Sequence, residues 1–201
     1  FIEQIQIFTH LFLMSSSSSD KCFRTESDVR VMAVSHRHMW LGHHDGDISI
    51  RNVQTCDIVC TVRPPGGRVW SMVVFPGGGG DDGEDDATAD SIWVGLHNGE
   101  IDVFRSCVSS LGDRRKMAPE VVAHLSRHTG GILAMTTFDG YVFSGSNDFT
   151  ICIWSAAHFR FVKQLSGHAS YVRCLYADGD LLVSGGDDQT IRVWRVPSGA
   201  V

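Results

Sequence analysis

An internal repeat of 40 residues constrains the fold of this chain more than any other feature of its sequence. The stretch HTGGILAM has a counterpart in HASYVRCL, and FSGSNDFTICIW has one in VSGGDDQTIRVW. Four pairs of landmarks keep the 40-residue offset without a gap: His128 and His168, Ser144 and Ser184, Asp148 and Asp188, and Trp154 and Trp194. A period of this size is typical of propellers and other repeat architectures.

Two more diverged copies of the repeat lie upstream. MWLGHHDGDISI (39–50) matches IWVGLHNGEIDV (92–103) at most apolar and turn positions, and an apolar run precedes each stretch. On this alignment Val29, Val69, Ile132 and Val172 occupy equivalent positions. Short runs rich in Val, Ile, Leu, Phe and Trp indicate strands, and Asp-Gly or Asn-Gly between the second and third runs indicates a hairpin. Four antiparallel strands per copy predict the blade of a β-propeller.

The third and fourth copies carry S-G-x-x-D-x-T-I-x-[IV]-W, with Arg127-His128 or Gly167-His168 before the first strand. With these marks the chain resembles the WD-repeat (WD40) family over residues 29–201. The resemblance implies an all-β fold, a partial propeller of four four-stranded antiparallel blades at about 29–65, 69–128, 132–168 and 172–201. Rings of this family close with seven or eight blades, so we expect a truncated sequence, since an open set leaves strand edges unpaired. Residues 1–28 are predicted to be a partly disordered leader, with a candidate closing strand near 21–23.

In that family His, Ser, Asp and Trp form a buried hydrogen-bonded tetrad. The resemblance implies two such tetrads: His128, Ser144, Asp148 and Trp154, then His168, Ser184, Asp188 and Trp194. We expect them to stabilise the blades and not to form a catalytic triad, because the same trio of Ser, His and Asp recurs in successive copies. The corresponding positions of the first two copies hold Thr25, Leu41, Asp45 and Arg51, then Pro65, Val94, Asn98 and Phe104. Those blades are expected to depend on apolar packing and turn chemistry.

Composition excludes several classes of function. A formal net charge of -6 argues against binding of nucleic acid, which requires a basic face. The apolar start FIEQIQIFTHLFLM is too short to span a bilayer and lacks a basic n-region, so no membrane insertion is expected. Six cysteines without a CxxC pair indicate buried thiols in a reducing compartment, hence a cytoplasmic protein, with the nucleus as the alternative.

No metal or other cofactor is expected. The histidines at 36, 38, 43 and 44 resemble a metal cluster, but the repeat places them at opposite ends of one strand, roughly 16 Å apart. Two insertions in the second copy, 76–90 and 106–120, are predicted to be solvated loops on one face of that blade, and the first lacks the ligand spacing of a calcium loop.

The resemblance implies a scaffold or adaptor for other proteins and not an enzyme. The alternative is a regulatory or targeting propeller of a larger enzyme, because the W-x-G-x-x-[DN]-G-x-I motifs of the first two copies resemble the propeller of some inositol-polyphosphate phosphatases. Partners of WD-repeat proteins dock on the face built from the turns between strands two and three and the loops that enter strand one. Carried over by position, the candidate partner-binding residues are Tyr171, Arg68, His97, Asp187, Asn147 and His44. Tyr171 and Arg68 come first, because aromatic and Arg side chains dominate interface hot spots.

Overall fold

The structure is a computed structural model that describes residues 22–35, 38–77, 90–105 and 119–196. Fifteen strands and no helix occupy these ranges. Blade 1 contains β1 (Val29–Ser35), β2 (His38–His43), β3 (Ile48–Asn52) and β4 (Ile58–Val62), and blade 2 contains β5 (Val69–Phe75), β6 (Ser91–Leu96), β7 (Glu100–Arg105) and β8 (Glu120–Ser126). Blade 3 contains β9 (Ile132–Phe138), β10 (Tyr141–Ser146), β11 (Thr150–Ser155) and β12 (Arg160–Ser166), and blade 4 contains β13 (Val172–Asp178), β14 (Leu181–Gly186) and β15 (Ile191–Arg195).

Every blade is an antiparallel meander in which consecutive strands pair. The first strands begin at the four equivalent positions predicted from the repeat, which confirms the all-β propeller fold. The first three sheets have four strands, and the fourth has three strands within the described range. Both predicted insertions lie almost entirely outside the described residues. Lys21 also lies outside them, and Cys22 and Phe23 belong to no strand, so the closing strand stays a prediction.

The hydrophobic core lies between neighbouring blades. One cluster joins blades 1 and 2 and includes Trp40 and Val69, and a second joins blades 2 and 3 and includes Trp93 and Ile132. A third cluster joins blades 3 and 4 and includes Phe143. Because a middle blade is covered on both faces, every residue of β6 and of β10 is buried. This explains why these strands show no alternation of apolar and polar residues, and why the serines within them, such as Ser144, are buried as well.

The turn between the second and third strands is built in the same way in all four blades. Its Asp or Asn side chain accepts a hydrogen bond from the backbone N–H two residues later, at 3.1 Å for Asp45, 3.1 Å for Asn98, 2.9 Å for Asp148 and 3.0 Å for Asp188. The residue after it has a positive φ: 99° at Gly46, 90° at Gly99, 71° at Phe149 and 61° at Gln189. Blades 3 and 4 therefore hold a non-glycine residue in the left-handed region.

The first strand of each blade contains a β-bulge at its second residue. In blade 1, Val29 pairs with His43 and Val31 with Gly42, so Arg30 is the extra residue between them. The same shift occurs at Trp70, Leu133 and Arg173 in the other blades. A bulge redirects the side chain of the extra residue, so these four side chains leave the regular alternation of the strand.

Candidate functional site

One face of the blades carries the six residues predicted to bind partners. In each blade the residue before the turn Asp or Asn donates its N–H to the carbonyl of the residue before the first strand. These bonds join His44 to Asp28 (2.9 Å), His97 to Arg68 (2.9 Å), Asn147 to Gly131 (3.0 Å) and Asp187 to Tyr171 (2.9 Å). Neighbouring blades continue the surface, since Gly46 packs against Gly67 and Arg68, and Gly131 packs against Trp70 and the His97 carbonyl. We call this surface the turn face.

An exposed aromatic cluster lies on the turn face between blades 3 and 4. The rings of Phe149 and Tyr171 are 5.8 Å apart, and the Arg173 guanidinium lies 5.2 Å from the Tyr171 ring centroid. Arg173 also holds Asp187 through Nε (2.9 Å) and Nη2 (2.7 Å). These hydrogen bonds keep the pKa of Asp187 below its usual value. The cluster thus contains two residues predicted from the sequence, Tyr171 and Asp187, and two that were not predicted, Phe149 and Arg173.

Two sequence signals could have identified the missed residues. Phe149 stands at the turn position where the first two copies have Gly46 and Gly99, and Arg173 is the second residue of an otherwise apolar strand. Trp70 is in the same strand position in blade 2 and was missed as well.

Blade 2 contributes an aromatic pair to the turn face. The rings of Trp70 and His97 meet edge to face with centroids 4.7 Å apart. His97 and Arg68 are exposed, whereas Trp70 is half-buried and its Nε1 has no hydrogen-bond acceptor among the described residues. The other two predicted residues, His44 and Asn147, are half-buried, and Asn147 packs on Gly130. The structure therefore brings all six predicted residues to one face but distributes them over four blades.

The tetrad side chains of blades 3 and 4 make the same hydrogen bonds. His128 Nδ1 donates to Asp148 at 2.9 Å, and the Ser144 hydroxyl lies 2.8 Å from both His128 Nε2 and the indole N–H of Trp154. In blade 4 the corresponding distances are 2.8 Å from His168 to Asp188, 2.8 Å from His168 to Ser184 and 2.9 Å from Trp194 to Ser184.

Hydrogen bonding decides the charge of the tetrad carboxylates. Burial alone would raise the pKa of Asp148, but hydrogen bonds from His128 and Thr150 outweigh it and hold that pKa well below its usual range. Ser144 is buried with its oxygen engaged by His128 and Trp154, so it is not placed to attack a substrate. Burial also raises the pKa of the nearby Cys152 thiol to about 12, which leaves that thiol protonated and unreactive.

Blade 1 replaces the tetrad with a different polar network. His43 Nε2 accepts from Ser49 at 2.7 Å, while Nδ1 donates to the Ser27 carbonyl at 3.2 Å. Arg51, at the tetrad Trp position, donates to the Cys56 carbonyl at 3.0 Å and lies 4.7 Å over the Phe23 ring. Blade 1 therefore combines apolar packing with buried polar bonds, in contrast to the expectation from its sequence.

Blade 2 contains a buried aspartate outside the tetrad positions. Asp102 accepts from His124 Nδ1 at 2.6 Å, and its other oxygen, Oδ2, has no hydrogen-bond donor among the described residues. Burial raises the pKa of Asp102 because the hydrogen bond and charge of His124 do not fully offset the loss of water. Blades 1 and 2 also share a buried link, since Ser35 donates to Asp90 at 2.7 Å.

The described residues contain no group of three or more His, Cys, Asp or Glu side chains that could hold a metal ion. Of the four histidines weighed as ligands, His36 lies outside them. Within the same ranges no helix has the length and apolar character to cross a membrane.

Sequence and structure comparisons identify relatives for part of the chain. The family model "WD domain, G-beta repeat" matches residues 119–155 and 159–195, each from the outer strand of one blade through the third strand of the next. Cell division control protein 4 of Saccharomyces cerevisiae is 36% identical over 85 residues, which cover 42% of this chain and 11% of that protein. The putative E3 ubiquitin-protein ligase LIN-1 of Lotus japonicus is 37% identical over 84 residues, covering 41% of this chain and 6% of that protein. The chain thus spans a small part of the length of these relatives.

Solved structures share the fold at low sequence identity. The computationally designed Ika4 protein has a TM-score of 0.68 and 20% identity, with 90% of this chain and 100% of that chain covered. The WD40 repeats of RRP9 give a TM-score of 0.67 at 17% identity, with 87% of this chain and 50% of that chain covered.

Proposed function

We propose that this chain is an adaptor that docks partner proteins on its turn face. It carries WD repeats and has the fold of part of a WD40 β-propeller, and this fold is generally a protein-interaction scaffold. The proposal is specific to the surface formed by the four second-to-third-strand turns and the loops entering the first strands. It does not depend on any catalytic group.

The observation that carries the proposal is the cluster of Phe149, Tyr171 and Arg173. Phe149 and Tyr171 are 41% and 39% exposed, so neither ring completes a core. Phe149 has a φ of 71°, a conformation that costs an L-residue about 1 kcal/mol and that glycine adopts freely at the same place in blades 1 and 2. An exposed aromatic ring held in a strained turn, beside a bulged Arg, is typical of a binding surface.

We further propose that the protein is not itself an enzyme and acts in the cytoplasm. The Ser hydroxyls and His rings of the tetrads are buried and engaged with one another, which leaves no accessible nucleophile paired with a base there. Cys22, Cys56, Cys152 and Cys174 form no disulfide, as expected in a reducing compartment.

A second candidate function is the regulatory or targeting propeller of a larger enzyme. It is supported by the small share of each relative that this chain covers, and one of those relatives is named a putative ubiquitin ligase. Immunoblotting of source cells with an antibody to blades 3 and 4 distinguishes this candidate function from the adaptor function. A polypeptide far larger than 22.1 kDa that carries catalytic activity favours the second candidate.

Affinity capture from source-cell lysate tests the adaptor proposal. The double variant Tyr171→Ala/Arg68→Ala should recover specific partners in much lower yield than the unmodified chain, because truncation removes an aromatic anchor and an Arg from the turn face. The matched control is Val162→Ala/Lys163→Ala, which changes exposed residues on the outer strand β12. Equal recovery by both variants, with circular dichroism showing intact blades, would exclude the turn face as the docking surface.

A further inference from the structure

Two groups of side chains on the turn face differ in charge. The first, which we call the cation centre, lies on blade 2 and contains Arg68, Trp70 and His97. The second, the aromatic centre, contains Phe149 of blade 3 and Tyr171 of blade 4. The cation centre has a described blade on each side, and the aromatic centre lies in the junction between two described blades.

Arg68 gives the cation centre an uncompensated positive charge. Its side chain is exposed and forms no ion pair with any residue of the described ranges. Glu100, on the same blade, is engaged elsewhere, because it accepts a hydrogen bond from the Asn98 amide at 2.7 Å. A carboxylate from a partner can therefore pair with Arg68 without displacing a carboxylate of this chain.

The carboxylates at the turns of blades 3 and 4 are already engaged. Both oxygens of Asp187 accept hydrogen bonds from Arg173. Asp148 and Asp188 accept from the histidines of their tetrads and from the backbone of their own turns. Among the described residues, these turns offer no free carboxylate to a cationic partner, whereas blade 2 offers Arg68 to an anionic one. Charge complementarity therefore favours an acidic partner.

The aromatic centre presents apolar surface beside a neutral ion pair. The exposed rings of Phe149 and Tyr171 lie next to each other. The Arg173 guanidinium beside the Tyr171 ring is held by Asp187, so the two charges offset each other. An aliphatic or aromatic side chain of a partner can cover both rings and remove their surface from water, which is favourable.

Blade 3 provides an uncharged path between the two centres. It has Gly131 where blade 2 has Arg68 and blade 4 has Tyr171, and Gly130 precedes it. The Trp70 ring packs against Gly131, so the surface continues from one blade to the next. Facing sheets lie about 10 Å apart, so two blade junctions span at most about 20 Å. An extended chain advances about 3.3 Å per residue, which places the two centres about four to six residues apart along such a chain.

We propose that the turn face binds an extended segment of its partner, with a carboxylate on Arg68 and, about four to six residues away, an apolar side chain on the rings of Phe149 and Tyr171. This inference rests on the proposed adaptor function and states the chemistry of the partner. The two contacts act together: the apolar contact buries the rings, and the ion pair with Arg68 sets the position of the segment along the face. Because that ion pair is exposed, binding should weaken as the salt concentration rises.

Selection from a phage-displayed library of random peptides tests the proposal, with the purified 201-residue chain as the target. Peptides of about 12 residues span roughly 40 Å when extended, which is enough to reach both centres. The selected peptides should be enriched in pairs that place Asp or Glu about four to six residues from an aliphatic or aromatic residue. Selection without such a pair, or enrichment of Lys and Arg in place of the acidic residue, would overturn the proposal.

Variants of the two centres should each change one half of the selected pair. Arg68→Glu should remove the enrichment in acidic residues and keep that in apolar residues, whereas Phe149→Gly should reduce the apolar enrichment and keep the acidic one. Lys163→Glu makes the same charge reversal at an exposed site on β12, and Gln189→Gly makes the same backbone change in the turn of blade 4. Both are matched controls and should select the same pair as the parent chain.

These selections also distinguish a failure of this inference from a failure of the adaptor proposal. If Tyr171→Ala/Arg68→Ala loses partners in the affinity capture but the library yields no acidic and apolar pair, the adaptor function stands and the proposed partner chemistry is wrong. If the pair is selected but neither Arg68→Glu nor Phe149→Gly changes it, the peptides bind away from the turn face. That result, together with undiminished affinity capture by the double variant, would overturn both proposals.

Discussion

At the scale of single residues, buried aspartates in this chain differ in how fully their charge is compensated. Asp148 has hydrogen bonds from His128, the Thr150 hydroxyl and backbone N–H groups, and they outweigh the cost of burial. Asp102 has one hydrogen bond, from His124, and burial prevails. Asp148 therefore stabilises blade 3, and its pKa is lowered. Asp102 destabilises blade 2 when it is charged, and its pKa is raised.

We predict that Asp148→Ala destabilises the fold by roughly 2–3 kcal/mol, because it leaves His128 buried without its acceptor. Asp45→Ala should cost much less, since that residue is exposed and no buried His depends on it as an acceptor. Because the pKa of folded Asp148 is lowered, its contribution is complete above the unfolded value of 3.8 and is lost as the pH falls through the folded value. Urea unfolding followed by Trp fluorescence measures both effects, and equal losses for the two variants would contradict the prediction.

Asp102→Asn should raise the thermal midpoint near neutral pH. The pKa of this carboxyl is raised in the folded state, so between the unfolded value of 3.8 and the folded value the native state binds more protons, and stability falls as the pH rises. An amide oxygen can still accept from His124, and the variant carries no buried charge. The gain should disappear below pH 3.8, where the parent carboxyl is protonated in both states. Asp57→Asn, at an exposed site, is the control and should show no gain at either pH.

At the scale of strands and turns, the sequence predicts the strand starts and turns that recur in every copy. It does not predict the bulges or the polar contacts that occur in a single blade. The first-strand starts and the turn positions follow from alignment of the four copies, and the positions of Tyr171, Arg68, His97 and Asp187 follow with them. The bulges could not be predicted, because a bulge is a shift in the pairing between two strands and leaves the apolar pattern of one strand unchanged. The bonds His43–Ser49 and Asp102–His124 each occur in one blade only, although Ser49 and Asp102 occupy equivalent positions, so alignment of the copies could not identify them.

The strained turns give a prediction that separates stability from binding. Phe149→Gly and Gln189→Gly both relieve a positive φ, so each should leave the stability unchanged or raise it by up to about 1 kcal/mol. Only Phe149→Gly removes a ring from the cluster with Tyr171, so that variant alone should lose partner recovery in the affinity capture. Gln189→Gly is the control for the backbone change. Loss of recovery by both variants would show that turn geometry, and not the aromatic ring, determines docking.

At the scale of the whole molecule, the chain is a series of sheets held together by contacts between adjacent blades. The three apolar clusters each join one blade to the next. In the second strand of blades 1 to 3, a glycine (Gly42, Gly95 or Gly145) allows the first residue of the next blade to pack closely. In such an arrangement the stability is divided among nearest-neighbour contacts. A substitution at one of these glycines should therefore affect one junction between blades.

Gly145→Ala and Gly185→Ala compare a glycine packed against the next blade with the equivalent glycine of blade 4, which contacts only its own blade among the described residues. A Cβ on Gly145 would lie 2.6 Å from Val172 of the packed blade 4, so we expect a loss of roughly 1–3 kcal/mol in unfolding free energy from overpacking. A Cβ on Gly185 would meet only the Cys174 sulfur, at 2.7 Å, and this side chain can move. Gly185→Ala should therefore leave the midpoint of urea unfolding unchanged, whereas Gly145→Ala should lower it. An equal loss of unfolding free energy in the two variants would contradict the prediction, because it would show that close packing against the next blade is not the source of the cost at Gly145.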